Sequence, residues 1–185
     1  MMKKRFLILY VMFLGFLVLG FALKASQRDL LTDLKEGKMK LTSVFLNEEK
    51  ISSKYTCDGE DISPELTISD VPDTAKSLVL IVDDPDAPVG IFVHWLLYNI
   101  PPTTKKINSK DIPVGAIQGM TDFGRVGYGG PCPPSGSHRY FFKLYAIDKV
   151  LDLPAGVQKA QLERAIINNI IEKTQLIGLY ARRKN

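Results

Sequence analysis

A mainly β fold, an antiparallel sandwich with a C-terminal amphipathic helix and few short helices, is predicted by three observations on this 185-residue sequence. Short apolar runs rich in β-branched and aromatic residues recur from Lys40 to Ile147. Eleven prolines and fourteen glycines separate those runs, which is the punctuation of a sandwich and not of a helix bundle. Apolar residues at spacings of three and four occur convincingly only near the C-terminus.

The first element is a leader. Met1 to Arg5 carries three positive charges, and Phe6 to Leu23 then runs without a charge. That order matches the charged and apolar regions of a secretory signal, and its length also reaches the lower edge of a membrane-spanning helix. Gly20-Phe21-Ala22 offers a small-x-small cleavage pattern. Residues 1–23 are therefore expected to be a signal or an anchor, and the sequence leaves both open. Lys3, Lys4 and Arg5 favour an N-in orientation, which puts the rest of the chain outside the cytoplasm. The protein is thus expected to be membrane-anchored facing outward, or secreted or periplasmic if the leader is removed. The mixed, charged stretch 24–37 reads as a linker, and 38–185 as the domain.

The formal charge of +4 belongs mostly to the leader and linker, where six bases meet three acids. Bases and acids are nearly balanced in the rest of the chain, and no basic stripe marks a nucleic-acid binder. Within the domain, Lys40 to Leu46 and Leu66 to Ile68 read as short strands. Ser77 to Val82, Phe92 to Ile100 and Tyr140 to Ile147 read as longer central ones. Pro101-Pro102 stops the second of these. Leu162, Ala165, Ile166, Asn169, Ile170 and Lys173 predict a helix over about 158–174, with a last strand over 178–182.

The sequence contains two histidines, His94 and His138, and each opens an apolar strand. An acidic, proline-bearing loop, Asp83 to Pro88, follows the first central strand. Side chains alternate along a strand, so Leu78, Leu80, Val82 and Asp84 are expected on one face. The same rule groups His94 with Leu96 and Tyr98, and His138 with Tyr140 and Phe142. One end of a sheet would then present Asp84, His94, His138 and Tyr140 together. The loop Gly127 to Ser137 lacks the Lys-Ser/Thr ending of a nucleotide phosphate loop, but its glycines can turn backbone N–H groups onto an anion. Cys57 and Cys132 both lie in Gly/Pro-bearing loops, where a disulfide or a pair of inert thiols is possible.

Several ordered blocks carry a resemblance. Asp84-Pro85-Asp86-Ala87-Pro88, His94-Trp95, Gly130-Pro131 and His138-Arg139-Tyr140 resemble the signature blocks of the phosphatidylethanolamine-binding protein family. Tyr55 to Gly59 with Ser63-Pro64, and the Gly-Gly-Pro-Cys-Pro-Pro stretch, resemble its bacterial, Raf kinase inhibitor-like branch. The match spans roughly 38–182. Tyr128, Ile68 and Asn168-Asn169 depart from the pattern common in relatives. The resemblance implies a β-sandwich with a small anion pocket built from Asp84, Asp86, His94, Gly130, His138 and Tyr140, walled by Trp95 and Pro131. It implies a small anionic ligand or phospholipid headgroup as partner, with no cofactor, no metal and no catalysis. One acid is expected to hydrogen-bond a histidine and favour its protonated form.

Two alternatives stand beside that reading. Family members are associated with protein-interaction roles, such as protease inhibition or modulation of signalling, and fold alone does not choose among them. A metal-dependent hydrolase would need histidines and carboxylates around an open metal position, and no helix-borne His-x-x-x-His supplies it. No nucleophile elbow is present for a serine hydrolase.

Overall fold

The computed structural model describes residues 37–182. The leader over 1–23 and the linker up to residue 36 lie outside the described residues. Nine strands and one α-helix follow in chain order among the described residues: β1 (Lys40–Ser43), β2 (Glu49–Lys50), β3 (Leu66–Ser69), β4 (Ser77–Asp84), β5 (Phe92–Ile100), β6 (Lys106–Ile107), β7 (Ile117–Gln118), β8 (Ser137–Ile147), α1 (Lys159–Ile166) and β9 (Ile170–Ala181). A single 3-10 turn, Ser53–Tyr55, precedes the first cysteine.

Two sheets form the sandwich. The large one runs β2-β9-β8-β4-β5-β7, and the small one β1-β3-β6. All pairings are antiparallel except the two-residue contact of β2 with β9. Period-2 alternation sorts the side chains. Leu78, Leu80 and Val82 of β4 join Phe142, Leu144 and Ala146 of β8 in the core under the small sheet, which contributes Leu41, Leu66 and Ile107. Val79, Ile81 and Tyr145 alternate with them and are buried on the opposite face. That face is covered by the segment leading into α1. Tyr98 donates its hydroxyl to the Pro154 carbonyl, Met120 N–H bonds the Val157 carbonyl, and Lys159 reaches Asp83 at 2.7 Å.

Asp83 is fully buried, so its charge requires partners. Lys143 and Lys159 both supply one at 2.7 Å. Burial alone would lower the Lys159 pKa, but Asp83 and Glu163 reverse the sign and hold it raised. Consecutive acids on one strand thus face opposite ways: Asp83 anchors α1, and Asp84 is left for the other side.

The C-terminal region differs from expectation. The helix ends at Ile166, and the residues expected to continue it to 174 open the long strand β9. Leu162 and Ile166 are buried as the helical spacing requires. Asn169 then breaks the period: its N–H bonds the Ile166 carbonyl, its carbonyl accepts from Asp148 N–H, and its side chain donates to Asp148. The turn feeds Ile170 into β9, which pairs with β8 from Ile147 back to Ser137. A full ladder of interstrand bonds outweighs the modest preference of Glu172, Lys173 and Gln175 for helix.

Candidate functional site

The site begins with a defect in pairing. Along β4 and β5, Val82 opposes Trp95 and Asp83 opposes Val93, so His94 is the extra residue of a β-bulge. A bulge turns the extra side chain out of strict alternation. His94 therefore shares the face of Asp84, His138 and Tyr140, while Leu96 and Tyr98, expected beside it, lie outside the core cluster that holds Trp95 and Leu97. The four expected residues meet, but the bulge, not simple alternation, brings His94 among them.

These four side chains form the closed end of a cavity of about 250 Å³. His138 Nδ1 lies 2.7 Å from Asp84 Oδ2, with both residues buried at 6% and 3% exposure. The other Asp84 oxygen accepts the Asp86 N–H at 2.8 Å, a local turn that fixes the carboxylate before any ligand arrives. His94 Nδ1 is 2.7 Å from the Gly129 carbonyl. A carbonyl only accepts, so Nδ1 carries the proton in the neutral ring. Each imidazole thus has Nδ1 committed to the protein, which leaves Nε2 as the atom for a ligand. The Tyr140 hydroxyl is buried without a well-formed hydrogen bond in the protein, although the Cys132 backbone lies near enough to act on it. Burial, followed by the Asp84 charge, raises its pKa, so it remains a donor.

Burial also lowers the pKa of His94 below its ordinary 6.5, against the smaller opposing pulls of the Gly129 carbonyl, Asp84 and Asp83. The expected hydrogen bond between an acid and a histidine is the one Asp84 makes with His138; His94 is bonded to a carbonyl instead, and there desolvation of the charged ring exceeds the attraction of the nearby acids. The unfolded chain takes up this proton before the folded one does. His94 thus contributes stability that is fully present above pH 6.5 and is lost as pH falls through that value towards its folded pKa. Denaturation at pH 8 and pH 5 should show a steeper acid loss in the wild type than in His94→Phe. Equal slopes in the two proteins would remove His94 as the cause.

The remaining expected residues lie elsewhere. Asp86 faces away from the cavity and is gripped by Arg139, with bonds of 2.9 Å from Nε and 2.6 Å from Nη2. That guanidinium is the main reason its pKa falls to about 2. Trp95 is fully buried, donates its indole N–H to Gln118 at 2.8 Å, and packs edge-on to Tyr128. The Gly130 N–H is taken by the Asp61 carboxylate at 2.7 Å, and the Gly129 N–H by the His94 carbonyl at 2.9 Å. Those two amides serve the fold and not an anion nest. Pro131 uses its carbonyl to accept from Cys57 N–H. Gly130 also packs where a Cβ would stand 2.6 Å from the Tyr55 carbonyl oxygen, so close backbone approach requires glycine there.

Cys57 and Cys132 form a disulfide with Cα atoms 5.4 Å apart, and Cys132 lines the cavity. The wall above the four floor residues is apolar: Pro88, Val89, Phe92, Phe123, Pro133 and Pro134. Sequence reasoning missed this collar. Phe92 carried a signal, since it lies two residues before His94 on the same strand. Phe123 carried none, because a tertiary turn brings it to the site: Gly124 N–H bonds the Thr121 carbonyl, and the Phe123 ring meets Phe92 at 4.9 Å and His94 at 5.2 Å. Among the described residues no three His, Cys, Asp or Glu side chains gather as a metal-binding group.

Comparison with known proteins places this architecture. The family model described as phosphatidylethanolamine-binding protein matches residues 41–181. The chain belongs to the phosphatidylethanolamine-binding protein family. Among its relatives, the UPF0098 protein PH1269 of Pyrococcus horikoshii is 50% identical over 153 residues, covering 78% of this chain and 77% of the relative. A UPF0098 protein of Chlamydia trachomatis is 45% identical over 148 residues, covering 77% of this chain and 98% of that one. Two solved family structures share the fold. CT736 of Chlamydia trachomatis, described as a phosphatidylethanolamine-binding protein homologue, superposes with a TM-score of 0.75 at 44% identity over 78% of this chain and 98% of its own. Escherichia coli YbcL, described as a member of the mammalian family, gives 0.73 at 30% identity over 80% and 100%. As a member of this family, the chain is a binding-protein homologue of mainly β fold.

Proposed function

We propose that this family member is an extracytoplasmic binding protein that takes a small anion, a phosphate group free or on a phospholipid headgroup, without catalysis. One observation carries the reading: two imidazoles with Nδ1 already committed and a buried Tyr140 hydroxyl meet at the closed end of one cavity. The hydroxyl donates directly. The neutral His94 ring presents Nε2 as an acceptor, which a protonated phosphate oxygen satisfies, or it takes up a proton and donates. Either route favours binding at lower pH. The charged leader with its apolar run supports a location outside the cytoplasm, where the Cys57–Cys132 disulfide would persist.

The test follows the imidazole resonances of both histidines during titration with inorganic phosphate and phosphoethanolamine. Saturable shifts at His94 and His138 are expected, with tighter binding at pH 5.5 than at pH 8.5. Affinity that does not change over that range would count against the histidine floor. Silence at both rings would move the weight to a protein-interaction role. That second reading draws on the exposure of Val89, at 83%, and Phe123, at 40%, on the cavity wall.

A further inference from the structure

A second cavity lies behind the first. Ile91 and Val93 line it, whereas Phe92 and His94 line the anion cavity, so the two open on opposite faces of β5. The turn after β7 divides in the same way, with Thr121 and Asp122 on the second cavity and Phe123 on the first. From the far side α1 contributes Lys159, Ala160 and Glu163. At about 30 Å³ per water, the space of about 320 Å³ holds on the order of ten waters, room for a small organic ligand. Nothing in the anion reading uses it.

The charge around this cavity is unbalanced. Lys143 and Lys159 each reach Asp83 at 2.7 Å, and Lys159 also lies 3.5 Å from Glu163. Those two lysines offset Asp83 and Glu163, and Asp122 remains. One Asp122 oxygen accepts the Val93 N–H at 2.7 Å, while Arg125, the base nearest to it in sequence, is bound to Asp61 at 2.9 Å. Among the described residues no lysine or arginine forms an ion pair with Asp122. A ligand cation would complement that surplus negative charge. Apolar surface lines the same space, and Ile91 is 56% exposed there. An apolar stem would cover it.

We infer that this second cavity binds primary alkylamines, with Asp122 and Glu163 receiving the ammonium and Ile91, Met120 and Ala160 receiving the stem. An ammonium carries three N–H donors. Two carboxylates meet two of them. Thr121 is buried and donates its own hydroxyl to the Arg125 carbonyl at 2.7 Å, so its oxygen keeps lone pairs for the third. The Lys159 ammonium already shows the pattern, set between the carboxylates of Asp83 and Glu163. A quaternary ammonium has no N–H to donate, and no aromatic ring lines this cavity to receive it on its face. An amino acid would bring a carboxylate towards Asp122 and Glu163 with no unpaired cation to offset the repulsion. A metal ion would find no group of three His, Cys, Asp or Glu ligands among the described residues. The inference goes beyond the anion reading and does not depend on it.

The experiment labels the methionine methyl groups of the full-length protein, held in nonionic detergent and an amine-free buffer at constant ionic strength. The Met120 resonance is followed during titration with n-butylammonium, n-butanol and tetramethylammonium. A saturable Met120 shift is expected with n-butylammonium, and the other two should bind at least about tenfold more weakly, the worth of one charge-assisted hydrogen bond. Asp122→Asn should weaken n-butylammonium by about tenfold, while its amide oxygen still accepts the Val93 N–H. If that variant does not fold, Glu163→Gln decides, because its side chain is 32% exposed and the change keeps its size. The same loss is expected there. Saturating inorganic phosphate should leave the amine bound, since the two cavities lie on opposite faces of β5. Binding of the alcohol or the quaternary ion as tight as that of the amine would overturn the inference. So would an unchanged affinity in the folded variant, displacement by phosphate, or the lack of a saturable shift.

Discussion

His138→Ala should abolish saturable phosphate binding and also cost on the order of 3 kcal/mol of folding stability, the largest paired effect expected of a single substitution here. The two losses have separate causes. Ligand loss follows from removing one of the two imidazoles at the closed end of the cavity, beside the Tyr140 hydroxyl. Stability loss follows from Asp84, which is buried at 3% exposure and would keep only the Asp86 N–H as a partner on its other oxygen. Breaking a buried pair strands a charge, whereas the intact pair adds little net stability. His138→Asn separates the effects. An amide in place of Nδ1 can still donate to Asp84, so denaturation should recover most of the stability, while phosphate titration should stay silent. An asparagine variant that binds phosphate with wild-type affinity would remove His138 from the ligand site.

The second large effect concerns the disulfide. Cys57 and Cys132 are separated by 75 positions, and a loop of that size restricts the unfolded chain enough to contribute about 4 kcal/mol in the chain-entropy account. For a domain whose total stability lies in the range of about 5–15 kcal/mol, that is a major share. Urea denaturation of the Cys57→Ser/Cys132→Ser protein should show this loss, and reduction of the wild type should reproduce it. Ligand affinity should fall less than in His138→Ala, because other bonds still tie the same loops. Cys57 N–H bonds the Pro131 carbonyl, the Tyr128 hydroxyl bonds the Tyr55 carbonyl, and Asp61 holds the Gly130 N–H. A loss below about 1 kcal/mol would show that these contacts, not the covalent bridge, set the loop geometry.

What was legible in the sequence was local. The alternating or continuous apolar runs of β4, β5 and β8 announced themselves because each buries one or both faces, and burial imposes a period on the chain. Asp84, His138 and Tyr140 were legible for the same reason: polar residues continuing the core-facing register at a strand end must emerge beside one another once the strands pair. The disulfide remained an alternative to two free thiols, since distance between loops is not written in either loop.

Tertiary structure alone decided the rest. It set a bulge at His94, which depends on how β5 registers against β4, and so placed that ring on the floor by a route that alternation does not predict. It turned Asp86 outward, because the Arg139 guanidinium on β8 offers two bonds that no ligand pocket would match. It withdrew Gly130 from an anion nest, because Asp61, far away in sequence, reaches its N–H first. It also converted the second half of an apparent helix into β9, since eleven residues of β8 present an open edge whose backbone bonds outweigh helical spacing. The sequence by itself determined which segments must be strands and which side chains could meet. Only long-range pairing decided which of them did, because bulges, ion pairs and interstrand bonds are settled between residues that the chain holds far apart.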